Sequence, residues 1–371
     1  MRRTKSIVGI AVGIAVALCL VPSLITAREA AAPAVESVAG KVQLMSAGPL
    51  AFGPNGVLFV GDSVGGAIVS LDTGDTTAPS TAANIDIQGI DQKIAALLGT
   101  APDQIMINDV TVNPVSKNVY LSVSRGRGPD AAAVILRVNG SGQLTALPLD
   151  NVKHASVSLA DAPQSNPAAR QNPRMQTITD MEYVNGNVIV AGLSNEEWSS
   201  ALRSIPYPFQ AAAKGTTLQI WHASHGQYET AAPVRTFVPY TIEGKQYILA
   251  AYTCTPLVKI PVSDLKPGAK VKGTTIADLG SGNQPLDMVP YTKDGHAYIL
   301  IANTSLGTMK LKADNLETYK PIDSPTVTDV AGVPFDRIAN LKGVRHLAQF
   351  DNSRALILTS APMNLQTIAL P

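Results

Sequence analysis

Hydrophobic and polar positions alternate along this chain in short runs that are broken by turns. The clearest stretch is Pro285 to Asp314, PLDMVPYTKDGHAYILIANTSLGTMKLKAD. DMVPY, HAYILIAN and TMKLKAD read as three consecutive strands, with a tight turn at Lys293-Asp294-Gly295 and a loop over 304–307. Asp-Gly between two apolar runs is a strong short-range hairpin signal. A unit of three or four antiparallel strands cannot cover both of its faces, so it must stack on others of its kind.

The same pattern recurs. Aligned on the first turn, the copies are PLAFGPNGVLFVGDS from Pro49, DVTVNPVSKNVYLSVSR from Asp109 and DMEYVNGNVIVAGLS from Asp180. TFVPYTIEGKQYILAAYT from Thr236, DMVPYTKDGHAYILIANT from Asp287 and HLAQFDNSRALILTSA from His346 complete the set. Successive starts lie 60, 71, 56, 51 and 59 residues apart. Repeats of about 40–50 residues, each a four-stranded sheet, are the mark of propeller blades. The pattern therefore predicts an all-β, six-bladed β-propeller over residues 41–371, with the surplus length in loops. Each second strand is a continuous run of Val, Ile, Leu, Ala and Tyr, as expected of a strand buried on both faces.

The last repeat has room for only three strands. Residues 41–46, KVQLMS, read as a spare strand, so an N-terminal strand is expected to close the last blade and remove an exposed edge. A helix is predicted over Asp91 to Leu98. Residues 151–176 read as an irregular connection, and Asn195 to Trp198 as the opening of a short helix that ends before Pro206. In a propeller, loops from second to third strand and from one blade to the next share a face. The insertions 88–106, 150–178, 193–216 and 323–344 are assigned to those two classes, so function is expected on that loop-rich face.

Composition changes the picture at one end only. Arg2, Arg3 and Lys5 precede an apolar run, Ile7 to Val21, and Pro22 to Ala27 can serve as a cleavage region. That run is shorter than the roughly 20 residues of a spanning helix. Residues 1–27 thus read as a signal peptide and 28–40, rich in Ala and Pro, as a flexible lead-in. The expectation is a secreted or periplasmic protein, monomeric and free of the membrane after cleavage. Charged residues make up only 15% of the chain and the formal net charge is +1, with no basic stripe to suggest nucleic acid. Removing residues 1–27 would leave 26 basic against 28 acidic residues and one cysteine, Cys254, so no internal disulfide is expected.

The first residues of the six inner strands form a ring on the propeller axis: Pro49, Asp109, Asp180, Thr236, Asp287 and His346. Three carboxylates facing one channel raise one another's pKa or recruit a cation. Asp109, Asp180 and Asp287, with Asn108, offer the oxygen donors that suit calcium or magnesium. Arg235 and Arg345 either pair with those acids or, with Asn303, contact an anionic substrate. Asp180, Asp287 and His346 are the candidate catalytic acids and bases. The competing reading is structural: inner-strand aspartates cap backbone amides of neighbouring loops.

Elsewhere, His222, His225 and Glu229 in WHASHGQYE invite a metal reading, although the spacing is not HExxH and the strand count puts them on the plain face. Cys254 reads as a buried structural thiol, and no phosphate-binding Gly loop, GxSxG elbow or CxxCH haem site occurs.

The six-repeat layout, with GPNGVLFVGD followed by AIVSLD, resembles the six-bladed propellers of the gluconolactonase/regucalcin and NHL-repeat groups. In the lactonase group a divalent metal on the axis is held by acidic and Asn side chains at the starts of inner strands, and Asp109, Asp180 and Asp287 match those positions. Gly48-Pro49 stands where that group has a glutamate, so one family ligand is missing. The resemblance implies a small-ligand pocket with a divalent cation, calcium first, and hydrolysis of an ester or lactone. The alternative is a non-catalytic propeller that presents its loop face to a protein or glycan.

Overall fold

Six sheets, antiparallel except where Lys270–Lys272 pairs in parallel with Thr216–His222, each have an inner strand beginning near the ring positions named above and make up a β-propeller. This computed structural model describes Met1 and residues 34–371 apart from 82, 129, 212–213 and 327–328. Apart from Met1, the signal-peptide reading lies outside the described residues, as does 28–33 of the lead-in. Pro33–Pro371 is one unit.

The hairpins form as the alternation requires. Asn185-Gly186, Glu243-Gly244 and Asp294-Gly295 each place two consecutive residues at positive φ. Two such residues make the turn whose twist matches that of the flanking strands. The second strands are buried through their centres: Leu58 to Val60, Val188 to Ala191, Ile248 to Ala251 and Ile299 to Ala302 all have almost no exposed surface.

The order of blades around the ring is not the order along the chain. Inner strands touch in the sequence Leu50–Phe52, Asp180–Val184, Thr236–Ile242, Pro285–Lys293, Val344–Gln349, Ile105–Val112, and back to Leu50–Phe52. The first and second blades have exchanged places. Six apolar clusters report the same order, because each fills one gap between adjacent blades. Phe59 and Ile68 of the first blade meet Met181 and Val188 of the third, Leu58 and Val60 meet Tyr120 and Ile135 of the second, and Val119 and Leu121 meet Leu356 and Leu358 of the sixth.

This exchange decides how the ring closes, and it corrects the closure expected from the sequence. A strand from the N-terminal quarter does complete the last blade, but it is Asp86–Ile87, paired with Leu365–Ala369. Residues 41–46 form no strand; Met45 and Ser46 donate their amides to the buried Asp62 carboxylate, each at 2.9 Å. From Asp86–Ile87 the chain enters helix Ile90–Leu98, ends it with Gly99 in the left-handed region, and starts the second blade. After that blade it returns to the first. Val152–Ser158, in the stretch expected to be irregular, is the first blade's fourth strand, and Val38–Gly40 adds an outer one.

Two further expectations are corrected. Ser200–Pro206 is a strand, the third of its blade, and not part of a helix. Its sequence SALRSIP is buried on both faces from Ser200 to Arg203, with Ser204 exposed and Ile205 buried again. Thr216–His222 is consequently the fourth strand, so the WHASHG turn lies on the loop-rich face. The excursion 323–344 includes Phe335–Arg337, the fourth strand of the fifth blade, so it falls inside a blade and not between blades.

Candidate functional site

The aspartate ring forms, and its first role is local. Each carboxylate accepts the amide of the residue after it: Asp109 from Val110 at 2.7 Å, Asp180 from Met181 at 2.8 Å and Asp287 from Met288 at 2.9 Å. The second oxygen of each reaches the inner strand of an adjacent blade. Asp109 accepts from Leu50 N at 2.7 Å, Asp180 from Phe237 N at 2.7 Å and Asp287 from Leu347 N at 2.8 Å. All three reach in the same direction around the ring, from alternate blades. Main-chain bulges at Asn108 and Leu286 fall immediately before Asp109 and Asp287.

The carboxylates border an axial cavity of about 420 Å³. Its wall runs from Asp109, Asp180, Glu182 and Asp287 down to Lys117, Asp351 and Asn352, in the turns between first and second strands. The cavity thus extends towards the trimmed face, not the loop-rich one on which a site was expected. His346 Nδ1 lies 3.6 Å from Asp109 Oδ1 and 3.9 Å from Asp287 Oδ2, each side chain being 18–19% exposed. Donor atoms of Asp109, Asp287 and His346 all fall within 4.8 Å of one another.

The electrostatics follow from crowding like charges in a recess. Burial pushes the Asp180 carboxyl well above its ordinary range, Glu182 and Asp109 push the same way, and the Phe237 amide opposes them. Asp287 is raised by burial and then by Asp109 and Asp180. Glu182 is raised to about 7 by burial and by Asp109. Such a cluster holds protons or a cation at neutral pH. Glu182 was not singled out by sequence, although its signal was there: two residues beyond Asp180 on a strand is the same face.

The other candidates sit elsewhere. Asn108 Nδ2 donates to Ala47 O at 2.7 Å and to Ser124 Oγ at 2.9 Å, tying the second blade to the chain that enters the first. Arg345 is exposed. Arg235 lines a separate cavity of about 570 Å³ with Gln176, Glu229, Thr253 and Gln284. There Gln284 accepts from Nη2 and Nε at 2.7 and 3.2 Å, and burial pushes the guanidinium pKa down. Asn303 is buried and braces its own loop, donating to Gly307 O at 3.1 Å and accepting from Asn283 at 2.9 Å. Among the described residues, neither arginine pairs with the axial acids; His346 does.

No protein-family model matches the chain, and no curated protein sequence does. Solved structures share its architecture. A glucose dehydrogenase is 12% identical, with 90% of this chain and 100% of that one covered and a TM-score of 0.37. The soluble aldose sugar dehydrogenase of Escherichia coli, in its apo form, is 11% identical over 90% and 99% of the two chains, TM-score 0.32. Drosophila Semaphorin 1b, extracellular domains 1-2, is 11% identical over 92% and 88%, TM-score 0.38.

Proposed function

We propose that this is an exported propeller whose axial cavity binds a small ligand together with a divalent cation, and that it hydrolyses an ester or lactone there. The observation that carries this reading is the convergence of Asp109, Asp287 and His346 donor atoms within 4.8 Å, with both aspartates on the wall of that cavity. The donor set fits a divalent cation: two acids and an imidazole, with no arginine among the described residues in ion-pair contact with them. The mix of oxygen and nitrogen widens the choice from calcium to manganese or zinc. Asp180 and Glu182 face the same cavity. When bound, a divalent cation would polarise a carbonyl and acidify water. The chain's own part is to hold the ligand between the acids and to accept a proton at Glu182. Export rests on the basic residues Arg2, Arg3 and Lys5 ahead of the apolar run.

A different observation favours a non-catalytic binding propeller: all three aspartates already hold amides between blades. Metal analysis separates the two. With the His222–His225–Cys254 cluster on the loop-rich face disabled by His225→Asn, the purified protein should hold one Ca²⁺, Mg²⁺, Mn²⁺ or Zn²⁺ that Asp287→Asn releases without unfolding, and should cleave members of an ester and lactone panel. If a His225→Asn background binds none of these ions by calorimetry, the metal reading fails and the scaffold reading stands.

A further inference from the structure

A second cluster lies on the loop-rich face between the third and fourth blades. His222 ends strand Thr216–His222, His225 ends the turn Ala223–His225, and Glu229 ends strand Gln227–Glu229. Glu229 clamps both rings: Oε2 is 2.6 Å from His222 Nδ1 and Oε1 is 2.6 Å from His225 Nδ1. An ionised carboxylate only accepts, so both Nδ1 atoms donate to it and Nε2 on each ring keeps the lone pair that can ligate a metal. His222 Nε2 is buried and has no hydrogen-bond partner. The rings lie 3.9 Å apart, centroid to centroid.

The fourth blade brings a thiol to the same place. One ring nitrogen of each histidine and Cys254 Sγ lie within 4.8 Å of one another. Cys254 and Thr255 both sit in the left-handed region, at φ 61° and 60°. For a β-branched residue this is strained, and such strain persists only where neighbours enforce it. They do: Cys254 N donates to Asn283 O at 2.7 Å and Thr255 Oγ1 to Gly280 O at 2.7 Å. The buried Asp278 accepts from Ser224 N at 3.2 Å, fixing the histidine turn against the fourth blade.

We propose that His222, His225 and Cys254 bind a zinc-class transition-metal ion, with Glu229 orienting both imidazoles. Imidazole and thiolate donors select zinc and its neighbours over calcium or magnesium. A carboxylate that accepts the second ring N–H of metal-bound histidines is the usual outer partner of such sites. Tetrahedral zinc needs donors about 3.3–3.6 Å apart, a closure of no more than about 1.5 Å here. The His225 side chain is 46% exposed, so the ion has an entry path and water can take the fourth position. The ion would bridge the outer edge of one blade to the loop of the next, independently of the axial site.

Cobalt reports this geometry directly. Metal-free protein titrated with Co²⁺ should take up an ion that gives a thiolate charge-transfer band in the near ultraviolet and the strong visible bands of a tetrahedral site, all bleached by Zn²⁺. Cys254→Ser should abolish the charge-transfer band. Glu229→Gln should keep it while weakening Zn²⁺ binding roughly 10–100-fold. Asp287→Asn, which disables the axial cluster, should leave the bands unchanged, so the two sites fail or survive separately. Absence of the bands, or their persistence in Cys254→Ser, overturns the proposal. Should Cys254→Ser fail to fold, the wild-type protein decides: Zn²⁺ must slow the reaction of Cys254 with a thiol reagent, and an unchanged rate overturns the site.

Discussion

The backbone N–H of Phe237 donates to Asp180 Oδ2 across the gap between two blades, at 2.7 Å. Met181 N holds the other oxygen at 2.8 Å. One side chain therefore fixes the start of its own strand and the depth of its neighbour's. The Asp109–Leu50 and Asp287–Leu347 pairs repeat the relationship on alternate blades. Buried amides without partners are unfavourable, and here the amides nearest the axis are satisfied by side chains of the next blade.

Asp180→Ala should therefore destabilise the fold by about 2–4 kcal/mol, because two amides lose their acceptor. Asp180→Asn keeps one acceptor oxygen and should lose about half as much. Urea unfolding with an unchanged slope measures both. A neutral Asp180→Ala would show that the amides find other partners.

The exchanged blades make a second expectation specific. Ile87 is 5% exposed and packs with Leu356, Leu358 and Leu365 of the last blade. Ile87→Ala should cost about 2–4 kcal/mol although its strand is two residues long, since it loosens the strand pairing that completes that blade. Val38, 55% exposed on the outer edge of the first blade, is the control, and Val38→Ala should change stability by less than about 0.5 kcal/mol. The reverse order, measured by thermal or urea unfolding, would contradict the observed closure.

The repeat was legible because each blade carries a local signal, a turn flanked by apolar alternation, and turn chemistry acts within a few residues. The depth of Asp109, Asp180 and Asp287 was legible for the same reason: the turns fix their register. Blade order was not, because inner strands of one propeller present similar faces and Asp86–Ile87 is too short to show a period. Residues 152–158 read as loop because VKHASVS opens a mostly polar stretch with three prolines and no sustained period, and only docking on Ala67–Asp72 makes it a strand. Cys254 and the two histidines meet only once Thr216–His222 is placed fourth in its blade, which the misread SALRSIP concealed.

Arg203 offers a third test. Its Nε meets Asp161 Oδ1 at 2.8 Å with both side chains 1% exposed. Nη1 and Nη2 donate to Thr177 O and Leu193 O at 3.2 and 2.8 Å, and Asp161 Oδ2 accepts from Gly215 N at 3.0 Å. Removing one partner strands a buried charge. Asp161→Ala should lower stability by about 3–5 kcal/mol, whereas the double change Asp161→Ala with Arg203→Met should recover much of that loss. Equal losses in the single and double variants, by urea unfolding, would mean that the Thr177 and Leu193 carbonyls hold the guanidinium unaided.

The axial acids predict how stability varies with pH in metal-free protein. Glu182 has an ordinary value of 4.5 and is raised to about 7 in the fold, by burial and by Asp109. Below pH 4.5 both states keep the proton, and the group has no effect. Between 4.5 and about 7 the folded state binds more protons than the unfolded one, so stability falls as pH rises. Above about 7 the loss is complete, at a ceiling of about 3 kcal/mol from this residue. Asp180 and Asp287 are raised in the same sense and add to the fall. Glu182→Gln should match wild type near pH 4 and be more stable than wild type at pH 8, with chelator present, as judged by urea midpoints across that range. A divalent cation at saturation should flatten the wild-type slope, because it binds the ionised folded state alone. A Glu182→Gln variant that is less stable than wild type at pH 8 in chelator would show that the charged glutamate is stabilised by groups of the chain itself.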